Sequence, residues 1–182
     1  INLLPLELKK TKVAELPLQI ISDFKVADET IKVISNKKIG NAKFYDFNGK
    51  LAPDNAFETA TSTELISPDK NKKLRVLYNQ IWVDYMNNVK EEPSKIAGDK
   101  EVIAESEIPI LFLDWFKDSE HIIWFTSNEL TIAERDNRGG KRNVVTYYLN
   151  ITPPIFWDNE ESDLYFFENN NQKSVLYKIN IK

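Results

Sequence analysis

Residues 113–127 read LDWFKDSEHIIWFTS: a tryptophan, a charged turn, and then a dense apolar run that ends in Thr-Ser. Three other stretches follow the same plan, IFWDNEESDLYFFEN from 155, LISPDKNKKLRVLYN from 65 and SDFKVADETIKVISN from 22. In each, a bulky anchor (Phe24, Ile66, Trp115, Trp157) precedes a polar turn. A strand-like run opens seven or eight positions later, at Ile31, Leu74, Ile122 and Leu164. The anchors stand 42, 49 and 42 residues apart. A recurrence at this spacing is the mark of a repeated supersecondary unit.

The likeness continues beyond the core of each repeat. A second alternating segment follows, AKFYDF from 42, IWVDYM from 81, LTIAER from 130 and VLYKINI from 175. After the first three comes a third extended stretch, AFETATS from 56, KEVIAES from 100 and NVVTYYL from 143. With the short strand that carries the anchor, as in PILFLDW, each of the first three units holds four short strands, and no segment keeps a 3.6-residue period. Asn48-Gly49, Gly139-Gly140 and Ser67-Pro68-Asp69 supply turn chemistry where the chain must reverse. Four-stranded units at this spacing predict an all-β chain of about four four-stranded antiparallel β-propeller blades. Their expected limits are 20–62, 63–107, 108–151 and 152–182, in one domain over 1–182. A two-sheet sandwich would also use short strands, but it gives no reason for a recurring anchor-to-strand spacing.

The fourth unit ends after VLYKINI without an outer strand, whereas TKVAEL (11–16) precedes the first unit with no blade of its own. Exposed strand edges invite aggregation, so pairing one terminus into the other's blade is the economical solution. Residues 11–16 are therefore expected to complete the fourth blade of a closed four-bladed propeller. The competing arrangement is an open arc from a larger propeller. The first residue is Ile1 rather than Met, so a processed or excised chain is expected, from which any upstream signal peptide, anchor or domain would be missing.

These units resemble the WD40-like repeat of the TolB-type propeller family. That pattern runs from an aromatic through Ser-Pro-Asp-Gly to an apolar strand, and then to a strand ending in Asp. Ser67-Pro68-Asp69 matches the turn, with Asp118 and Asp28 in the corresponding place in two other repeats, and Trp115 and Trp157 take the aromatic position. FYDFNGK (44–50) resembles the later strand with its Asp-x-x-Gly turn at Asp46, Asn48 and Gly49. The resemblance covers residues 20–182. It departs from the family where no repeat has the complete Ser-Pro-Asp-Gly and the last substitutes Asn-Glu-Glu-Ser. It implies a binding or assembly module of the bacterial cell envelope, in the periplasm or at the cell surface, in some cases beside a PEGA-type or hydrolase domain.

The composition agrees with a globular β chain. Of 182 residues, 42% are hydrophobic and 12% aromatic, and aromatics favour pleated, half-buried surfaces. A net charge of −4 with scattered Lys and Arg gives no electrostatic footprint for nucleic acid. No cysteine is present, which removes disulfides and thiolate metal sites, and no run reaches the length of a membrane span.

Catalytic chemistry finds little support in the residues. A Ser-His-Asp site needs an imidazole, and the single His121 stands at a strand mouth with no nucleophile elbow nearby. The expectation is a strand-start histidine bonded to its turn. Asp114, Asp118, Asp158, Glu160, Glu161 and Asp163 could supply a carboxylate pair for glycoside hydrolysis. They cluster in turns, however, where such side chains bond their own backbone. Asp46-Asn48-Gly49 lacks the remaining ligands of a calcium loop, and no cofactor motif is present.

Among Trp82, Tyr85, Trp124, Tyr147, Tyr148, Tyr165 and Phe166, roughly three in four should face blade interfaces by strand alternation. Tyr147-Tyr148 differs, because adjacent strand residues face opposite sides and one must lie near solvent. The pair is the expected partner-binding position. The reading is a non-catalytic module for a protein or polysaccharide partner; the alternative is a propeller hydrolase or the accessory half of one.

Overall fold

A computed structural model describes residues 8–27, 29–36, 41–52, 65–90, 94–137 and 140–181. Among these there are fifteen strands and no helix: β1 (Lys10–Pro17), β2 (Asp23–Ala27), β3 (Thr30–Asn36), β4 (Asn41–Asp46), β5 (Leu65–Ile66), β6 (Lys72–Leu77), β7 (Gln80–Tyr85), β8 (Lys100–Glu105), β9 (Phe112–Phe116), β10 (His121–Phe125), β11 (Glu129–Glu134), β12 (Val144–Tyr148), β13 (Ile155–Asp158), β14 (Asp163–Asn169) and β15 (Lys173–Asn180). They form four small antiparallel sheets, the blades of a β-propeller. The sheet orders are β2-β3-β4, β5-β6-β7-β8, β12-β11-β10-β9 and β1-β15-β14-β13. The third extended stretch of the first repeat, AFETATS, lies outside the described residues, as do Asp28 and Gly139.

The chain forms two compact units, residues 1–60 with 151–182, and residues 61–150. In the first unit, β1 runs antiparallel along β15 from Lys10↔Ile179 to Pro17↔Lys173, with a bulge between Lys12 and Ala14. It therefore supplies the outer strand that the fourth repeat lacks in sequence. Its inward residues Ala14 and Leu16 join Phe24, Val26, Ile31 and Val33 of the first sheet and Tyr165, Phe167 and Leu176 of the fourth in one core. Phe24 meets the Phe167 ring edge-on, with centroids 4.9 Å apart.

The second unit is built on Trp115. It is 1% exposed and packs with Leu74, Ile81, Val83 and Tyr85 of one blade and Leu113, Ile122 and Trp124 of the other. Its indole N–H donates to the Leu65 carbonyl at 3.0 Å, tying the innermost strands of the two blades together.

A bulky residue recurring at the anchor position predicts that Phe24, Ile66, Trp115 and Trp157 are all buried; three of the four are, and Ile66 corrects that expectation. Trp115 pairs with Ile122 and Trp157 with Leu164, as the spacing predicts. Phe24 pairs with Val33 rather than Ile31, a shift of two residues that leaves it on the same face. Ile66 pairs with Lys73, whereas Leu65 pairs with Leu74. The Ser-Pro-Asp turn places the register one residue away from Ile66, and an odd slip turns a side chain to the opposite face. Ile66 is accordingly 39% exposed.

Candidate functional site

The two ends of the 61–150 unit differ in chemistry. At one end lie the turns β5–β6 and β9–β10 and the connections into β8 and β12. Here the Ser67 hydroxyl accepts from the Lys72 N–H at 2.9 Å, and Asp69 Oδ1 accepts from the Asn71 N–H at 3.0 Å. The Asp69 N–H donates to the Ser119 hydroxyl of the next blade at 2.9 Å. Lys72 is fully buried, and its ammonium reaches Asp69 at 3.0 Å and Glu120 at 2.8 Å. Glu120 receives Arg135, whose Nη1 donates to the Tyr85 hydroxyl at 2.7 Å. Tyr85 in turn meets Glu101, which also holds Arg142 at 2.7 Å.

This chain of charges locks the two blades together. Buried cations persist only when paired and hydrogen-bonded. Burial pushes Asp69 upward, but the Ser67 hydroxyl, the Asn71 N–H and Lys72 outweigh it and hold its carboxyl below the usual range. Burial pushes the Tyr85 phenol up to about 12.

His121 belongs to this end. Its Nδ1 lies 2.9 Å from Asp118 Oδ2 and its Nε2 3.9 Å from Glu134 Oε1, so both ring nitrogens face carboxylates. A triad histidine needs one nitrogen on a hydroxyl nucleophile. Asp118 also accepts from the Glu120 and His121 N–H groups, and Asp158 accepts from Glu160 and Glu161. Both thus cap their own turns. Asp163 instead sits buried at the head of β14, paired to Lys178 at 2.5 Å and to Asn180 at 2.7 Å. Asp46 caps the tight turn to Lys50. Asp114 stands apart: it accepts the Trp115 N–H at 2.8 Å, and burial pushes its carboxyl up to about 6. Among the described residues, no group of three or more His, Asp and Glu is placed to hold a metal ion, and no helix is long and apolar enough to cross a membrane.

The opposite end carries the hairpins β6–β7 and β10–β11, the connection 106–111 and the end of β12. The Ser106 N–H donates to the Asn79 carbonyl at 3.0 Å, Leu111 to Phe125 at 2.8 Å, and Leu149 to Asn128 at 2.9 Å, which gathers these segments. Tyr148 is 73% exposed and Tyr147 is half-buried opposite Leu130, so the predicted split between the two tyrosines is present. Of the other aromatics singled out in the sequence, Tyr85, Trp124, Tyr165 and Phe166 are buried, and Trp82 is half-buried beneath Arg75.

Sequence reasoning missed Tyr78, which sits at the β6–β7 hairpin tip and is 89% exposed. It and Asn79 hold φ values of +52° and +59°. Two consecutive positive-φ residues in a two-residue hairpin fit a type I′ turn, where Asn-Gly is preferred and a bulky aromatic is an outlier. The available signal was the pair Tyr-Asn between two alternating runs. Exposed Val76, Leu77, Ile108 and Leu111 share this end.

No family model matches the sequence, and no curated protein matches it. Among solved structures the chain is similar to a Bacteroides uniformis ATCC 8492 protein named as a candidate 6-phosphogluconolactonase, with 14% identity and a TM-score of 0.39. The match covers 85% of this chain and 51% of that one, so the chain spans about half the length of that structure.

Proposed function

We propose that this chain is a non-catalytic β-propeller module that binds a protein or polysaccharide partner in the bacterial cell envelope. The observation that carries this reading is the aromatic end of the 61–150 unit, where Tyr78 and Tyr148 are exposed, as are Leu77, Ile108 and Leu111. Aromatics are enriched where proteins meet partners. The envelope location and the TolB-type kinship rest on the repeat pattern around Ser67-Pro68-Asp69, Trp115 and Trp157.

Photo-activatable phenylalanine derivatives at positions 78 and 148 test the proposal, with position 117 at the opposite end as the control. Cross-links to a discrete partner from 78 and 148, absent from 117, are the expected result. Equal labelling from all three positions overturns it.

The alternative, a propeller hydrolase or its accessory half, draws on Asp114, whose carboxyl is pushed upward by burial. Asp69, Asp118 and the exposed Glu15 are shifted down instead. A hydrolytic activity lost in both Asp114→Asn and His121→Ala would establish that alternative.

A further inference from the structure

The aromatic end of the 61–150 unit is unusual in charge as well as in apolarity. Its segments 76–80, 105–112, 126–130 and 147–150 contain Glu105, Glu107 and Glu129 and no Lys, Arg or His. The opposite end holds Lys70, Lys72, Lys95, Lys117, Arg135 and Arg142 among its acids. Glu105 and Glu107 are exposed, and Glu129 half-exposed. A surface whose charged side chains are all carboxylates, set beside aromatic faces, has a specific complement. Its glutamates offer lone pairs to N–H donors, and its tyrosine rings attract cations placed over them.

We propose that this end receives a basic segment of a protein partner. Lys or Arg side chains would lie over Tyr78 and Tyr148 and against Glu105 and Glu107, with apolar side chains seated on Leu77 and Leu111. The proposal rests on the binding-module reading above and names the chemistry of its partner. A sugar fits less well. A neutral sugar would leave the carboxylates of Glu105 and Glu107 without a cationic counterpart, which Lys or Arg supplies. The backbone of Tyr78 is held at +52°, in a turn that favours asparagine, which projects the ring from the hairpin tip at 89% exposure.

The test uses the intact chain and three probes, a capped peptide alternating Lys and Leu, its Glu-Leu counterpart, and cellohexaose. Each is titrated at about 150 mM salt, where distant charges are screened, while amide chemical shifts are followed. The Lys-Leu peptide should move the amides of 77–80, 105–111 and 148–149, and the Glu-Leu peptide should not. Tyr78→Asn should weaken that binding by about two- to fivefold, and Glu105→Lys with Glu107→Lys should abolish the preference for the basic peptide. Both changes fall on exposed side chains, so a retained amide spectrum confirms that the fold is intact. Shifts confined to the opposite end, or an affinity indifferent to Tyr78→Asn, overturn the proposal. If the Glu-Leu peptide or cellohexaose moves these amides instead, the partner chemistry is wrong while the binding reading survives. Silence with all three probes overturns the proposal alone, because the cross-linking experiment decides the binding reading separately.

Discussion

Replacing Asp114 with asparagine should stabilise the protein at neutral pH and do nothing in acid. Asp114 lies in the middle of β9, between the buried Leu113 and Trp115, and its cross-strand neighbour Ile123 is fully buried. The Trp115 N–H is its hydrogen-bond donor, and burial outweighs it, raising the carboxyl from 3.8 to about 6. The two values differ by about 2, and each step of one is worth 1.36 kcal/mol, so the ionised side chain costs the fold about 3 kcal/mol. The sign follows from proton linkage. Above pH 6 the folded protein carries the charge and the whole penalty. Between 6 and 3.8 the folded state binds a proton that the unfolded state does not, so stability recovers as pH falls. Below 3.8 both states are protonated and the penalty is gone. Asn is the neutral isostere and can still accept the Trp115 N–H. Asp114→Asn should therefore gain about 2–3 kcal/mol at pH 7.5, roughly 4–12 °C in Tm for a chain of this size, and close to nothing at pH 3.5. Urea unfolding followed by tryptophan fluorescence at both pH values measures this. A gain that is the same at both, or a loss at pH 7.5, refutes the reasoning.

Trp115→Ala should cost ~3–5 kcal/mol as a buried large-to-small change, whereas Ile66→Ala should cost well under 1 kcal/mol as an exposed one; similar losses from both would mean that the assigned register is wrong. Gly49 has φ +76°, and a Cβ there would sit 2.1 Å from the Glu15 carbonyl oxygen of β1. Gly49→Ala should lower the Tm measurably and loosen β1, seen as faster exchange of the Glu15 and Leu16 amides. Deleting residues 1–17 removes Ala14 and Leu16 from their core and uncovers the β15 edge. Aggregation or a lower Tm is expected, and unchanged solubility and stability would contradict the pairing of β1 with β15.

The repeat was legible because its signals are local. Period-2 alternation marks strands, Asn48-Gly49 and Ser67-Pro68-Asp69 mark reversals, and a tryptophan recurs before the turn in two units. Register was less legible. The anchor-to-strand distance of eight in the LISPDKNKKL repeat, against seven elsewhere, is an odd difference that reverses the facing of Ile66. That reversal emerges only once Leu65 is seen opposite Leu74. The partner-binding pair Tyr147-Tyr148 could be read as half exposed from strand alternation, and Tyr148 is the exposed member. Tyr78 escaped notice because it continues an apolar run and reads as strand, although it occupies the hairpin tip. The raised carboxyl of Asp114 and the path from Lys72 to Arg142 are tertiary properties. They depend on what lies across the sheet and on the neighbouring blade, which residue spacing along the chain does not encode.

The most direct test of the binding role separates stability from function at Tyr78. Asparagine tolerates the left-handed conformation that tyrosine is forced to adopt there, which costs roughly 1–2 kcal/mol for an ordinary L-residue. Tyr78→Asn should therefore give a protein at least as stable and abundant as the wild type, with the aromatic contact removed. Introduced in place of the chromosomal gene, it should reduce function in step with the weakened binding, and further when combined with Tyr148→Ser, with a Tm equal to or above the wild-type value. Full wild-type function from the Tyr78→Asn protein, alone and combined with Tyr148→Ser, would contradict the claim that this end of the chain is where it binds.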